Sequence, residues 1–263
     1  MTQRICQVIF STNRLEFLMP TLEAQERLLD LTGCQVHRVF IDDYPRARSD
    51  NLIRELVRSY RYDEIILHQE NLGLSATWSE FWQLIRDRDY DYVWHQEDDV
   101  VILEPVSVRD LITLLDSDPD LSQVRLSRQA WYQGESDPEA KDDDHVFRQF
   151  RYVKDQEPRV FSPMASLYPY WITQLPYRDT FDINLNEGMI AQFLRQYQGL
   201  VSAEARNSQG RAMINHIGDW FVGQRVLPGE PGYEMFSRFD PHARYNSRDG
   251  SVWSGAKTVS RGI

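Results

Sequence analysis

The residues best suited to chemistry lie in Tyr92-Val93-Trp94-His95-Gln96-Glu97-Asp98-Asp99-Val100, where three consecutive acids follow an apolar segment. Packed carboxylates repel one another, so a strand end that holds three of them needs a counter-charge. A divalent cation supplies one, because Mg2+ and Mn2+ take hard oxygen ligands and bridge to phosphate oxygens. The alternative is an acidic turn that caps the next element, Val100 to Leu103. Four other groups have the right types and positions: Arg14, Asp43, Glu187 and His216. Each has a purely structural counterpart. Arg14 would be a surface arginine near a helix start, and Asp43 a turn acid before Pro45. Glu187 would be a carboxylate placed at a helix N-terminus by the macrodipole, and His216 a hydrogen-bonded histidine in a turn.

These groups need a scaffold, and the first hundred residues alternate in the manner of one. Strands are expected at Ile5–Phe10, Val36–Ile41, Glu64–His68 and Asp91–His95. Helices are expected over residues 15–31, Asp50–Tyr60 and Ser75–Arg88, with Ser75 at or near an N-cap. Leu52, Ile53, Leu56 and Val57 share one helix face, and Trp78, Phe81, Trp82 and Ile85 another. Three β-α pairs feeding a fourth strand predict an α/β fold, a three-layer αβα sandwich with a Rossmann-like, mostly parallel sheet. Right-handed crossovers then align the strand C-termini along the edge where ligands bind in such sheets.

Beyond residue 106 the alternation loosens. A helix is expected at Val108–Leu115, strands at Gln123–Leu126, Phe161–Tyr168, Leu200–Ala205 and Ala212–Asn215, and helices at Tyr170–Gln174 and Glu187–Tyr197. Residues 131–148 read as a polar loop; six acids and one lysine between Glu135 and Asp144 keep it in water. From Phe239 onward Gly, Ser, Arg and Asn dominate and periodicity fades. That tail is read as mobile, or as a lid whose Arg244, Arg248 and Lys257 close over a ligand.

Several segments together resemble nucleotide-sugar glycosyltransferases of the A-type fold, of the family-2-like kind. Glu97-Asp98-Asp99 after an apolar strand resembles their D-x-D motif. Val8-Ile9-Phe10-Ser11-Thr12-Asn13-Arg14 resembles the first strand and its substrate-contacting turn, and Phe40-Ile41-Asp42-Asp43 the second strand with its nucleoside-binding acid. Asn71-Leu72-Gly73-Leu74-Ser75-Ala76 resembles the turn that opens the helix before the metal strand. The similarity is clear over residues 5–105. It implies a single domain over residues 1–238, with a nucleotide-sugar half (1–105), an acceptor half (106–238) and the tail (239–263).

The resemblance implies a metal-dependent transfer of a sugar from a nucleoside-diphosphate sugar, most often a UDP-sugar, to an acceptor hydroxyl, with inversion. Asp99 and Glu97 are the expected ligands of Mn2+ or Mg2+, and His216 the late histidine that often joins them. Ser11, Asn13, Arg14, Asp43, Asn71, Gly73 and Asp98 are the expected substrate contacts, with Arg14 near the diphosphate and Asp98 toward the ribose. Glu187 is the expected catalytic base, with Asp182 as runner-up. The rival readings are a nucleotidyltransferase, disfavoured because Ser11-Thr12-Asn13-Arg14 has no glycine, and a non-catalytic nucleotide- or sugar-binding module.

Composition narrows the field further. Apolar residues are 41 % and aromatics 12 % of 263, enough for a buried core and against global disorder. A net charge of -11 disfavours a broad basic groove for nucleic acid or an anionic membrane. A saccharide or other hydroxyl compound is therefore the expected acceptor, with a modified DNA base kept open by the basic tail. Two cysteines are too few for a disulfide scaffold, no apolar run approaches the roughly 18–20 residues of a membrane helix, and the N-terminus is unlike a secretory leader. A cytoplasmic protein without integral membrane contact is the expectation.

Overall fold

Ile5-Cys6 and Val8-Ile9-Phe10 are apolar at successive positions, which suits a strand covered on both faces. The computed structural model describes residues 2–12, 14–43, 50–69, 72, 74–128, 144–154, 164–175 and 187–217, and three short strands between 244 and 259. The first half runs β1 (Gln3–Ser11), α1 (Leu15–Leu28), β2 (Leu29–Asp30), β3 (Cys34–Asp42), α2 (Asp50–Ser59), β4 (Glu64–Leu67), α3 (Leu74–Ile85), β5 (Tyr92–Glu97), β6 (Val100–Ile102) and β7 (Val106–Ser107). The second half runs α4 (Val108–Ser117), β8 (Leu121–Leu126), β9 (His145–Phe147), β10 (Phe150–Lys154), β11 (Ser166–Pro169), a 3-10 turn (Tyr170–Gln174), α5 (Glu187–Gln198), β12 (Val201–Asn207) and β13 (Ile214–His216). Strands β14 (Arg244–Tyr245), β15 (Val252–Ser254) and β16 (Lys257–Val259) complete it.

Nine strands form the central sheet in the order β4-β3-β1-β5-β11-β8-β12-β10-β9. The first four are parallel, β11 is antiparallel to both neighbours, and β8 and β12 are again parallel. On one face Cys6, Val8, Phe10, Val39, Ile41 and Val93 pack under Trp78, Phe81, Trp82 and Ile85 of α3 and Ile190, Phe193 and Leu194 of α5. On the other, Ile9 and Phe40 meet Leu18 and Leu22 of α1 and Ile53 and Val57 of α2. Ile5 and Trp94 join Leu111, Ile112 and Leu115 of α4 on that same side. Each such side chain taken out of water contributes about 1.5–3 kcal/mol. Burial against the sheet therefore outweighs helix propensity, which spans only ~1 kcal/mol per residue. The result is the expected three-layer α/β sandwich. Among the described residues no helix is long and apolar enough to cross a membrane.

Some expectations need correction. Helix α1 stops at Leu28, not residue 31, because Leu29-Asp30 goes extended to pair with Val106-Ser107. The described end of the expected 131–148 loop is a strand, β9, which forms a hairpin with β10, a strand the sequence reading left unassigned. Arg148 turns that hairpin at φ 50, and β10 is held by antiparallel pairing with β12, a partner distant in the chain. Of the strand expected over Phe161–Tyr168, residues 161–163 lie outside the described residues and the strand found is Ser166–Pro169. The tail, read as mobile or as a lid, contains an antiparallel three-stranded sheet of β14, β15 and β16.

Candidate functional site

Parallel pairing brings the ends of β1, β3 and β5 level, with Ser11 beside Asp42 and Phe10 beside Glu97. The chain leaves β5 through Asp98 and Asp99 and turns into β6. This acidic turn is clamped from behind. Asp98 N donates to Phe10 O (2.9 Å), and Thr21 Oγ1 of α1 donates to Asp98 O (2.7 Å). Gln96 Nε2 donates to Val100 O (2.7 Å) across the turn, while Gln96 Oε1 accepts from Gln25 Nε2 (2.9 Å) and Trp94 Nε1 (3.2 Å). Tyr62 Oη in turn donates to Gln25 Oε1 (2.9 Å). These buried amides polarise one another and fix the turn's shape.

His216 arrives from the other half of the chain. Strand β13 pairs antiparallel with β6, His216 opposite Val100, and Ile217 N donates to Asp99 O (2.8 Å). His216 Nε2 thereby comes to 3.3 Å from Asp99 Oδ1 and 3.9 Å from Glu97 Oε2. One ligand atom from each of Glu97, Asp99 and His216 lies within 4.8 Å of the others. Two carboxylates and an imidazole at that spacing fit a single Mn2+ or Mg2+, which favour oxygen donors and, for Mn2+, accept a nitrogen.

Asp98 faces inward. Its carboxylate is fully enclosed and accepts from Ser11 Oγ (2.9 Å), Thr12 N (3.2 Å) and Arg14 Nε (3.3 Å), with Arg14 Nη2 on its second oxygen. Arg14 Nη1 reaches Asp99 Oδ2 at 2.7 Å, so one guanidinium spans both acids. Its guanidinium carbon lies 5.6 Å from the centre of the Phe17 ring. Burial works against the Arg14 charge, but the fields of Asp98 and Asp99 outweigh it and hold its pKa above the ordinary arginine range. Burial likewise works against Asp99, yet Arg14 and His216 hold its carboxyl well below the usual range. For Asp98 burial wins over Arg14 and pushes the carboxyl up to about 6. Ser11 Oγ also lies 3.0 Å from Asp42 Oδ2. A hydroxyl has one proton and donates to only one of these two acids at a time.

A second polar group sits beyond β3 and β4. Asp43 is buried; its Oδ1 accepts from Leu72 N and lies beside His68 Nδ1, both at 2.9 Å. His68 Nε2 lies 2.7 Å from Glu80 Oε2 of α3. Asp43 is thus anchored on its Oδ1 side by an imidazole whose other nitrogen faces a second carboxylate.

No family model matches the sequence, and no curated protein matches it. Solved structures do. A mannosyltransferase, PcManGT from Pyrobaculum calidifontis in complex with GDP-Man and Mn2+, matches 90 % of this chain and 61 % of its own, with a TM-score of 0.57 at 10 % identity. GalNAc-T7 with UDP, GalNAc and Mn2+ matches 82 % of this chain and 44 % of its own (TM-score 0.58, 10 % identity). S. aureus TarS residues 1-349 in complex with UDP-GlcNAc matches 86 % and 62 % (TM-score 0.54, 12 % identity). The fold is the A-type glycosyltransferase fold. The chain spans about three-fifths or less of the length of each of these structures.

Within this fold the acidic turn stands at the C-terminal edge of the parallel strands. Of the residues expected at the site, Ser11, Arg14, Glu97, Asp98, Asp99 and His216 converge there, and Asp43 sits at the neighbouring strand end. Asn13, Asn71, Gly73 and Asp182 lie outside the described residues. Glu187 opens α5, and its side chain also lies outside them. The sequence reading missed His68, Thr21, Gln25 and Gln96. His68 had a signal, since it ends the third expected strand, Glu64–His68, on the ligand edge. Thr21, Gln25 and Gln96 had none, because a polar residue on an apolar helix or strand face acquires its meaning only from its partner.

Proposed function

We propose that the chain is a metal-dependent glycosyltransferase that moves a sugar from a nucleoside-diphosphate sugar to an acceptor hydroxyl, with inversion. One observation carries this reading: Glu97, Asp99 and His216, from two distant parts of the chain, place ligand atoms within 4.8 Å of one another on the ligand edge of this fold. The similar structures support it, since two hold Mn2+ and each holds a nucleotide or nucleotide sugar. Bound at these three residues, Mn2+ or Mg2+ would supply a Lewis acid for the charge that a diphosphate leaving group gains as the glycosidic bond breaks.

In this reading Glu97 and Asp99 hold the cation through oxygen and His216 through Nε2. Arg14, already at the strand edge, is the nearest described cation to the acidic turn that a phosphate oxygen can use. Asp43, anchored through Oδ1, orients the nucleoside of a UDP- or GDP-linked donor. Asp98 serves as an internal counter-ion to Arg14, in place of the ribose contact expected from the resemblance. Glu187, or Asp182, takes the proton of the acceptor hydroxyl as its oxygen attacks the anomeric carbon. The acceptor is a saccharide or another hydroxyl compound; a net charge of -11 works against duplex DNA, whose affinity depends on neutralising phosphates.

The test is hydrolysis of UDP- and GDP-sugars by the purified chain without acceptor. The expected result is slow release of nucleoside diphosphate that requires Mn2+ or Mg2+, stops with EDTA and is absent in Asp99→Asn. If no nucleotide sugar is turned over and none raises the melting temperature with Mn2+ present, the reading is wrong.

A further inference from the structure

The Arg14 guanidinium sits where its charge competes with a cation for the same carboxylate. Nη1 is 2.7 Å from Asp99 Oδ2, while Nε and Nη2 hold Asp98. Asp99 is one of the three residues whose ligand atoms cluster. It therefore presents one oxygen to His216 and the other to Arg14. Asp98 and Asp99 are both buried, so this ion pair is weakly screened. Loading a dication at Glu97, Asp99 and His216 brings two positive charges beside a third. Like charges a few ångströms apart repel strongly even at an effective dielectric of about 20. The arginine has somewhere else to go: its side chain is a quarter exposed, whereas Asp98 is not exposed at all.

Resting on the proposed metal-dependent reading, we infer that Arg14 is a stand-in cation. In the nucleotide-free protein it offsets part of the charge of Asp98 and Asp99 and opposes the metal. A bound diphosphate offers the Nη1 side of the guanidinium a new acceptor, releases Asp99 Oδ2, and so makes metal and nucleotide bind together. The coupling is reciprocal, as linkage requires. The device lowers the charge of an acidic, buried turn between turnovers and reserves the metal site for the donor complex.

A structural arginine and a competing one predict opposite signs. Removing a structural arginine weakens metal binding, because the turn loses its support. Removing a competitor strengthens it. Free Mn2+ is read by its electron paramagnetic resonance signal as it is titrated into wild type, Arg14→Gln, Arg14→Lys and Asp99→Asn, with and without a UDP and GDP mixture. Lysine keeps the charge that Asp98 needs for folding but, as a point charge, cannot fork across two acids. Without nucleotide, Arg14→Gln should bind Mn2+ at least about tenfold more tightly than wild type, from relief of the like-charge repulsion, and Arg14→Lys should gain less, because its charge stays beside Asp98 while Asp99 Oδ2 is released. The factor by which nucleotide enhances Mn2+ affinity should be smaller in them than in wild type. Equal or weaker Mn2+ binding by both Arg14 variants without nucleotide overturns the inference. If in addition wild type binds Mn2+ with nucleotide and Asp99→Asn does not, the metal reading stands and only the inference falls. If no protein binds Mn2+ under either condition, both fall.

Discussion

His95 offers the sharpest test of how strand β5 is held. It lies between Trp94 and Gln96, fully buried, with its ring centre 4.3 Å from that of Phe10 and 4.9 Å from that of Trp78. Neither ring nitrogen has a hydrogen-bond partner among the described residues. Burial pushes its pKa down to about 3, against an ordinary value of 6.5. The unfolded chain therefore takes up a proton before the folded one does. Stability that is fully present above about pH 6.5 is lost as the pH falls toward about 3. Integration over those two values gives a loss of roughly 2 kcal/mol by pH 5 and almost none at pH 7.5. At pH 5 the figure depends almost wholly on the unfolded value, because the folded group is still neutral there. Asp98 works in the opposite direction, since a carboxyl raised to about 6 gains stability as the pH falls below that value. The wild-type profile alone is thus not diagnostic, and the difference from His95→Leu is, because Asp98 is common to both proteins. Urea unfolding followed by tryptophan fluorescence, without metal, at pH 7.5 and pH 5 measures it. Wild type should lose about 2 kcal/mol more than His95→Leu between the two pH values. Parallel losses would mean that His95 is protonated or hydrogen-bonded in the folded protein, and would refute the reasoning.

Other outcomes follow from the site. Asp99→Asn should abolish Mn2+-dependent binding of UDP or GDP, as read by calorimetry, while circular dichroism shows an unchanged fold. Glu187→Gln should lower kcat by roughly 10²–10⁴-fold with donor affinity nearly unchanged, the signature of a general base; near-normal turnover would move that role to Asp182 or elsewhere. His68→Leu leaves the buried Asp43 without its imidazole neighbour, at a cost of about 1–3 kcal/mol. Nucleotide affinity should fall while Mn2+ affinity measured alone stays as in wild type, and equal losses of both would argue against a separate nucleoside role. Gln96→Leu leaves Val100 O and Gln25 Nε2 without that partner and should destabilise the fold by about 1–3 kcal/mol, measurable by urea unfolding.

The family resemblance rested on short motifs in order, and the structure carries the fold they implied, although sequence identity to the similar structures is only 10–12 %. A core tolerates many apolar residues of the right size, so one fold is compatible with identities this low.

What the sequence by itself determined is the alternation of the first hundred residues and the acidic turn at its end. Runs such as Val8-Ile9-Phe10 and the spacing of Trp78, Phe81, Trp82 and Ile85 encode local periodicity, and periodicity is a property of neighbours in the chain. Only the tertiary structure decided how the second half joins the first. Strand β11 is antiparallel between β5 and β8, and β9 and β10 extend the sheet beyond β12, through pairings between segments far apart in the chain. The antiparallel register of β13 on β6 sets His216 against Asp99, and the reach of Arg14 across Asp98 and Asp99 makes one guanidinium a partner to two acids. No spacing along the chain carries these distances, because register and side-chain reach are settled only when distant segments pack and their polar groups must find partners away from water.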